Sequence, residues 1–178
     1  SKLQTIGDYA FFETSIEILT IPSNVRELKE GWCSNMKYVN KIEVSPLNPY
    51  FKTYEENKMI IGKSHKESSE LIDSNESSEY EESSEYDCLI FCIRNIEEIM
   101  ILNFIEHICP YAFNYCEYLQ HIEIQNDSKL KTIDKKAFSI SSIKSFTIPS
   151  EVILIGKGAF AYCSNLQQIE IPDDSKLQ

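Results

Sequence analysis

One short pattern recurs along this chain at a nearly fixed interval, and it leaves few folds open. Six stations read apolar-x-apolar: Leu19-Thr20-Ile21, Ile42-Glu43-Val44, Ile99-Met100-Ile101, Ile122-Glu123-Ile124, Phe146-Thr147-Ile148 and Ile169-Glu170-Ile171. Their last residues are 23, 57, 23, 24 and 23 apart, so a single gap breaks the period. Each triplet suits a short strand with one buried face. One such strand cannot bury that face alone. Units that stack can, by forming a parallel sheet over a shared core.

Other positions keep the same frame. Ile105, Ile108 and Phe113 follow Ile101 at offsets of 4, 7 and 12, and Val152, Ile155 and Phe160 follow Ile148 identically. Ala-Phe pairs stand at Ala10-Phe11, Ala112-Phe113, Ala137-Phe138 and Ala159-Phe160. They predict a convex arm in which Ala permits close approach and Phe fills the space between layers. Pro22, Pro149 and Pro172 directly follow triplets. A residue without an N–H donor ends the pairing there and argues against amphipathic helices. In the second unit Gly31-Trp32-Cys33 replaces the usual arm, and a Trp in an Ala slot predicts a bend or bulge.

Segments such as GKGAFAYCSNLQQIEIP and CPYAFNYCEYLQHIEI resemble the treponemal-type, or BspA-like, leucine-rich repeat of bacterial and protist surface antigens. The resemblance spans residues 1–50 and 95–178, and the flanks within 45–95 resemble a non-repeat hairpin of protist members. It implies a right-handed solenoid with a role in adhesion or protein binding and no catalytic residues. The expected class is therefore α/β: a right-handed leucine-rich-repeat solenoid with a parallel concave β-sheet, interrupted by a β-hairpin bearing a disordered acidic loop. Repeats occupy 1–50 and 95–178, the insertion occupies 51–94, and all belong to one continuous solenoid, read as a piece of a longer array.

The insertion accounts for the long gap. Met59-Ile60-Ile61 and Leu89-Ile90-Phe91 are apolar runs that predict two hairpin arms. Residues 64–87 between them repeat Glu-Ser-Ser-Glu from Glu67, Glu76 and Glu82. So polar a stretch cannot offset the entropy of ordering, which predicts a disordered loop. Residues 67–87 carry nine acids and no base, out of 28 acids and 17 bases in a chain of net charge −11. The acidity thus belongs to one segment, and it disfavours phosphate-backbone binding.

The residue types that carry chemistry are scattered. The six cysteines, Cys33, Cys88, Cys92, Cys109, Cys116 and Cys163, contain no Cys-x-x-Cys pair. Cys116 and Cys163 should stand two rungs apart, roughly 10 Å at the spacing of paired strands, beyond disulfide reach. The reading favours buried thiols, with pairing of Cys92 or Cys109 left open. His65, His107 and His121 form no triad with Ser and Asp, and His107 is placed in a convex loop. No phosphate loop and no window of 18 apolar residues occurs. No catalytic, metal or cofactor residue is assigned.

The remaining site is the concave face. Its central column is Thr20, Glu43, Met100, Glu123, Thr147 and Glu170, flanked by His121 and Gln168 among others. Three Glu alternating with neutral residues suit a basic or hydroxyl-rich partner. Asn75 and Asn126 head glycosylation sequons. The function expected is a non-catalytic protein-binding module, an adhesin or antigen on a cell surface or secreted, meeting a protein, matrix or host-surface ligand. It requires no nucleic acid and no membrane insertion by this segment. The alternative is a cytoplasmic scaffold built on the same solenoid.

Overall fold

The structure, a computed structural model, describes residues 2–64 and 86–178. All six triplets form strands: β2 (Ile18–Ile21), β4 (Lys41–Val44), β8 (Glu98–Ile101), β10 (His121–Ile124), β12 (Ser145–Thr147) and β14 (Gln168–Glu170). The apolar residues of the first five triplets turn toward the core, whereas Ile169 and Ile171 of the last are exposed. Leu19, Ile21, Ile42, Ile99, Ile101 and Phe146 are all buried, and the residues between them face solvent or its edge.

A second set of strands lies on another side of each turn. These are β1 (Thr5–Ile6), β3 (Glu27–Leu28), β9 (His107–Ile108), β11 (Thr132–Ile133) and β13 (Leu154–Ile155). Leu28, Ile108 and Ile155 are the apolar residues seven after a triplet's last residue, and Ile133 stands nine after Ile124. Such two-residue strands hold because the neighbouring turn supplies a parallel partner: Ile108, Ile133 and Ile155 are in register. His107 accordingly sits in a strand, not in a convex loop.

The insertion joins this second sheet. β5 (Phe51–Tyr54), β6 (Met59–Gly62) and β7 (Cys88–Cys92) form an antiparallel meander, and β7 then runs parallel to β9. The resulting six-stranded sheet has the order β13-β11-β9-β7-β6-β5. Both predicted arms are present, and β5 was not foreseen. Every residue of β6 and β7 is buried, as a continuous apolar run requires when both faces are covered. Met59, Ile61 and Leu89 face the core of the later turns, whereas Ile60, Ile90 and Phe91 face that of the earlier ones. The hairpin is an internal wall between two cores. Buried Asn48 fixes its start: its side-chain amide donates to the Pro22 and Val25 carbonyls, and its oxygen accepts from Tyr50 N and Phe51 N.

Most of the 64–87 loop lies outside the described residues, but its ends do not. Ser64 N and Oγ donate to the buried Asp87 carboxylate, and the Tyr86 ring lies under Lys52 and Lys63. Ser64, Tyr86 and Asp87, which the sequence reading included in that loop, are thus held by side-chain contacts, while 65–85 lie outside the described residues.

No α-helix occurs among the described residues, which narrows the expected class to a β-solenoid. The Ala-Phe arms are turns instead. Each holds two residues at positive φ four apart: Tyr9 and Glu13, Gly31 and Asn35, Tyr111 and Tyr115, Lys136 and Ile140, Gly158 and Tyr162. A left-handed residue every fourth position stops a helix from propagating. Phe113, Phe138 and Phe160 stack face to face through these arms, at 4.9 and 5.3 Å between centroids.

Neighbouring turns approach closely at Gly156. A Cβ there would stand 2.5 Å from Lys135 N and 2.7 Å from the Asp134 carbonyl carbon. Backbone cannot yield as a side chain can. Gly156→Ala should therefore cost about 1–3 kcal/mol, as overpacking does. Gly7→Ala, where nothing lies within 4 Å, should stay within about 0.5 kcal/mol. Urea unfolding of the pair measures this, and equal midpoints would refute the close approach.

Candidate binding face

The register of the triplet strands sets which side chains stand side by side. Thr20 pairs with Glu43, Met100 with Glu123, and Thr147 with Glu170. Beside them Ile18 pairs with Lys41, Glu98 with His121, and Ser145 with Gln168. All twelve side chains are exposed except Met100, which is half-buried. The column and its flank thus lie on one side of the solenoid.

They do not form one uninterrupted sheet. The strands pair only as β2-β4, β8-β10 and β12-β14. The first break has the hairpin as its cause, since β4 packs against β5 and β6. The second coincides with the one interval of 24 residues. Two residues are added between Ile124 and Phe138 and one is lost between Phe138 and Ile148, so the loop after β10 is longer, and Asp127 there takes a positive φ of 57°. That loop borders an open groove of about 900 Å³ between β10 and β12. Glu123 and Thr147 reach it from the column, with Asn126, Lys131 and Glu151 along its rim. A continuous face was expected; a notched one is found.

Electrostatics divides the three glutamates. Lys41 Nζ lies 2.7 Å from Glu43, and this contact holds the Glu43 carboxyl below its ordinary range, with the Thr20 hydroxyl adding to it. Residues two apart in a strand share a face, so this pairing was available from the sequence and was overlooked. Glu170 accepts from the Thr147 hydroxyl at 3.4 Å. Glu123 and Glu98 make no ion pair among the described residues. The acidic part of the face is therefore centred on β8, β10 and β14 rather than spread along the whole column. Asn126 is exposed at the groove; Asn75 lies outside the described residues.

The cysteines are all unpaired: Cys33, Cys88, Cys92 and Cys116 are buried, and Cys109 and Cys163 half-buried. Burial pushes the Cys33 thiol up to about 12 and raises Cys116 against the opposing pull of Arg94. Cys88 is raised by its hydrogen bond to Cys109, then by burial. Thiols held protonated in this way are weak nucleophiles.

The BspA type leucine rich repeat region matches residues 1–60 and 85–177 in six copies. The chain belongs to that family. Three solved structures share the fold of this BspA-type protein. A leucine-rich repeat protein from Eubacterium ventriosum is 21% identical with a TM-score of 0.74, over 96% of this chain and 40% of that one. The pneumococcal vaccine antigen PcpA is 18% identical with a TM-score of 0.69, over 98% of this chain and 44% of that one. A leucine rich cell surface protein from Faecalibacterium prausnitzii is 19% identical with a TM-score of 0.50, over 95% of this chain and 51% of that one. The BspA-type chain thus spans about half of their length or less. No curated protein matches it.

Proposed function

We propose that this BspA-type protein is a non-catalytic binding module, displayed on a cell surface or secreted, whose triplet face takes a protein or extracellular-matrix ligand. The observation that carries the reading is the exposed side-chain array fixed in register on paired strands. A rigid, solvent-facing row costs little entropy to present to a partner. The names of two similar structures, a cell surface protein and a vaccine antigen, agree with a surface location.

The ligand side favoured is basic, because Glu98, Glu123 and Glu170 are the open carboxylates of the face. Glu123→Lys with Glu170→Lys should keep the fold, since exposed strand positions shift stability by about 0.5 kcal/mol or less each. Binding of the chain to a matrix preparation should fall at least tenfold, and more steeply at 50 than at 300 mM salt. Lys157→Glu, on the opposite arm, should bind as the parent does. Loss of binding in Lys157→Glu alone would move the site off the triplet face. Location is tested separately: antibody against this domain should label intact source cells, and labelling only after permeabilisation would favour the cytoplasmic scaffold.

A further inference from the structure

We propose that Asp87, Glu106 and His107 form a binding site for a first-row divalent cation of the Mn²⁺ to Zn²⁺ class, at the neck of the acidic insertion. One ligand atom from each residue lies within 4.8 Å of the other two. Atoms bound to one such ion at about 2.0–2.2 Å stand roughly 3–4 Å apart. Small side-chain movements therefore close the set around a cation.

The backbone holds the three groups in place. Asp87 immediately precedes β7, Glu106 immediately precedes β9, and His107 opens β9; Cys88 and His107 are register partners. The Asp87 carbonyl accepts from Glu106 N at 2.8 Å and His107 N at 3.1 Å. Asp87 itself is only 5% exposed. Two carboxylates brought together in so dry a place repel each other more than they would in water. Their present partners only flank them. Ser64 holds Asp87, Lys131 Nζ meets Glu106 at 2.6 Å, and the Thr132 hydroxyl meets His107 Nδ1 at 3.0 Å. Such outer contacts orient metal ligands elsewhere in proteins. Asp134, on the next turn, also bears electrostatically on His107.

The donor set selects the ion class. Two carboxylate oxygens and one imidazole nitrogen suit Mn²⁺, Fe²⁺, Co²⁺ or Zn²⁺, with water completing the shell. Ca²⁺ requires six to eight oxygens, more than this neck offers. Cys88 Sγ lies 3.5 Å from Asp87 Oδ1, but it is not one of the atoms that converge with those of Glu106 and His107, so sulfur stays outside the set. A bound ion would tie β7 to β9. The carboxylates were invisible as a site in the sequence because Asp87 and His107 become neighbours only through a one-turn register.

The test is titration of the chelator-treated full chain with Co²⁺, read by visible absorption and by melting temperature. One equivalent should bind at micromolar concentration, giving ligand-field bands without a thiolate charge-transfer band in the near ultraviolet, and the melting temperature should rise. His107→Gln and Glu106→Gln should each weaken binding at least tenfold. The double variant Cys88→Ser, Cys109→Ser should bind as the parent does. A thiolate band that vanishes in the double variant would overturn the proposal. So would parent-like binding by His107→Gln, or saturation only at millimolar Co²⁺. His107 is half-buried and its replacement keeps a hydrogen-bonding side chain, so the apo melting temperature of that variant checks its fold independently.

Discussion

Replacing Arg94 by Ala should destabilise the protein by about 3–5 kcal/mol, the largest single-residue loss expected from a polar position here. Arg94 is 2% exposed and makes no ion pair among the described residues. Its guanidinium is satisfied by carbonyls instead: Nε donates to Met36 O at 3.0 Å, Nη1 to Ala112 O at 2.8 Å and Nη2 to Tyr111 O at 3.4 Å. Phe91 covers it, with its ring centroid 4.1 Å from Cζ. The reason lies in the insertion. In regular arms the Phe-slot N–H donates to the Ala-slot carbonyl of the next turn, as Phe113 does to Ala137. In the interrupted turn Cys92 N still reaches Ala112 O, but no Ala-Phe arm follows. Arg94 fills the vacant layer and bridges Met36 on one side to Tyr111 and Ala112 on the other. Ala would orphan the Met36 carbonyl at about 1–3 kcal/mol, leave the Ala112 and Tyr111 carbonyls with only the Cys92 and Asn114 amides, and open a cavity. Arg94→Met should recover packing but not the hydrogen bonds, and Arg94→Lys cannot reach three acceptors at once. Both should fall between parent and Ala in urea midpoint. A loss under about 1 kcal/mol for Ala would show that water, not the guanidinium, serves those carbonyls.

The same missing layer explains where the sequence reading succeeded and where it stopped. The triplets were legible because alternation over three residues already defines a buried face, and β6 and β7 were legible as uninterrupted apolar runs. Two-residue strands have no alternation to read. β9 shows only Ile108 as a signal, and its partner is a turn away in space but 25 residues away in sequence. β5, Phe-Lys-Thr-Tyr, is an edge strand with one well-buried residue, Phe51. The positive-φ residues of the arms include Tyr, Lys and Ile, types that give no warning of left-handed backbone. Trp32 was recognised as misfitting an Ala slot. What could not be read was the remedy: the shortened arm of the next turn leaves room for the indole, which packs against Phe11 and Phe91 at 6.3 and 5.6 Å. For the candidate face, the period alone assigned Thr20, Glu43, Met100, Glu123, Thr147 and Glu170 to one column, and the strand register sets them side by side in pairs. Its division into three ladders followed from the hairpin and from one extra residue, a detail visible in the spacing but without meaning until the groove beside β10 was seen.

Phe138→Ala should cost about 3–5 kcal/mol, and more than Phe160→Ala. Phe138 is completely buried and is stacked on both sides, by Phe113 at 4.9 Å and Phe160 at 5.3 Å, with Phe146 tilted against it at 5.3 Å. Phe160 stacks on Phe138 alone, also touches Phe146, and is only half-buried. Removing the middle ring therefore creates an enclosed cavity and cuts three ring–ring contacts, each worth about 0.5–1.5 kcal/mol beyond burial. Removing the outer ring opens a notch that water can enter. In a stack where each turn touches only its neighbours, the two losses also differ in reach. The outer deletion should loosen the last turn and leave the earlier turns folded. The middle deletion uncouples the turns on either side of it, since Ala137 O and Ala159 O are the successive acceptors that the Phe113 and Phe138 amides require. Hydrogen exchange separates the outcomes. Phe160→Ala should accelerate exchange only after about residue 150. Phe138→Ala should accelerate it from the turn of Phe113 onward, while amides of β6 and β7, backed by the core of the earlier turns, keep their protection. Equal and uniform acceleration in both variants would mean that the solenoid unfolds as one cooperative unit, and the hairpin wall would then not divide it energetically.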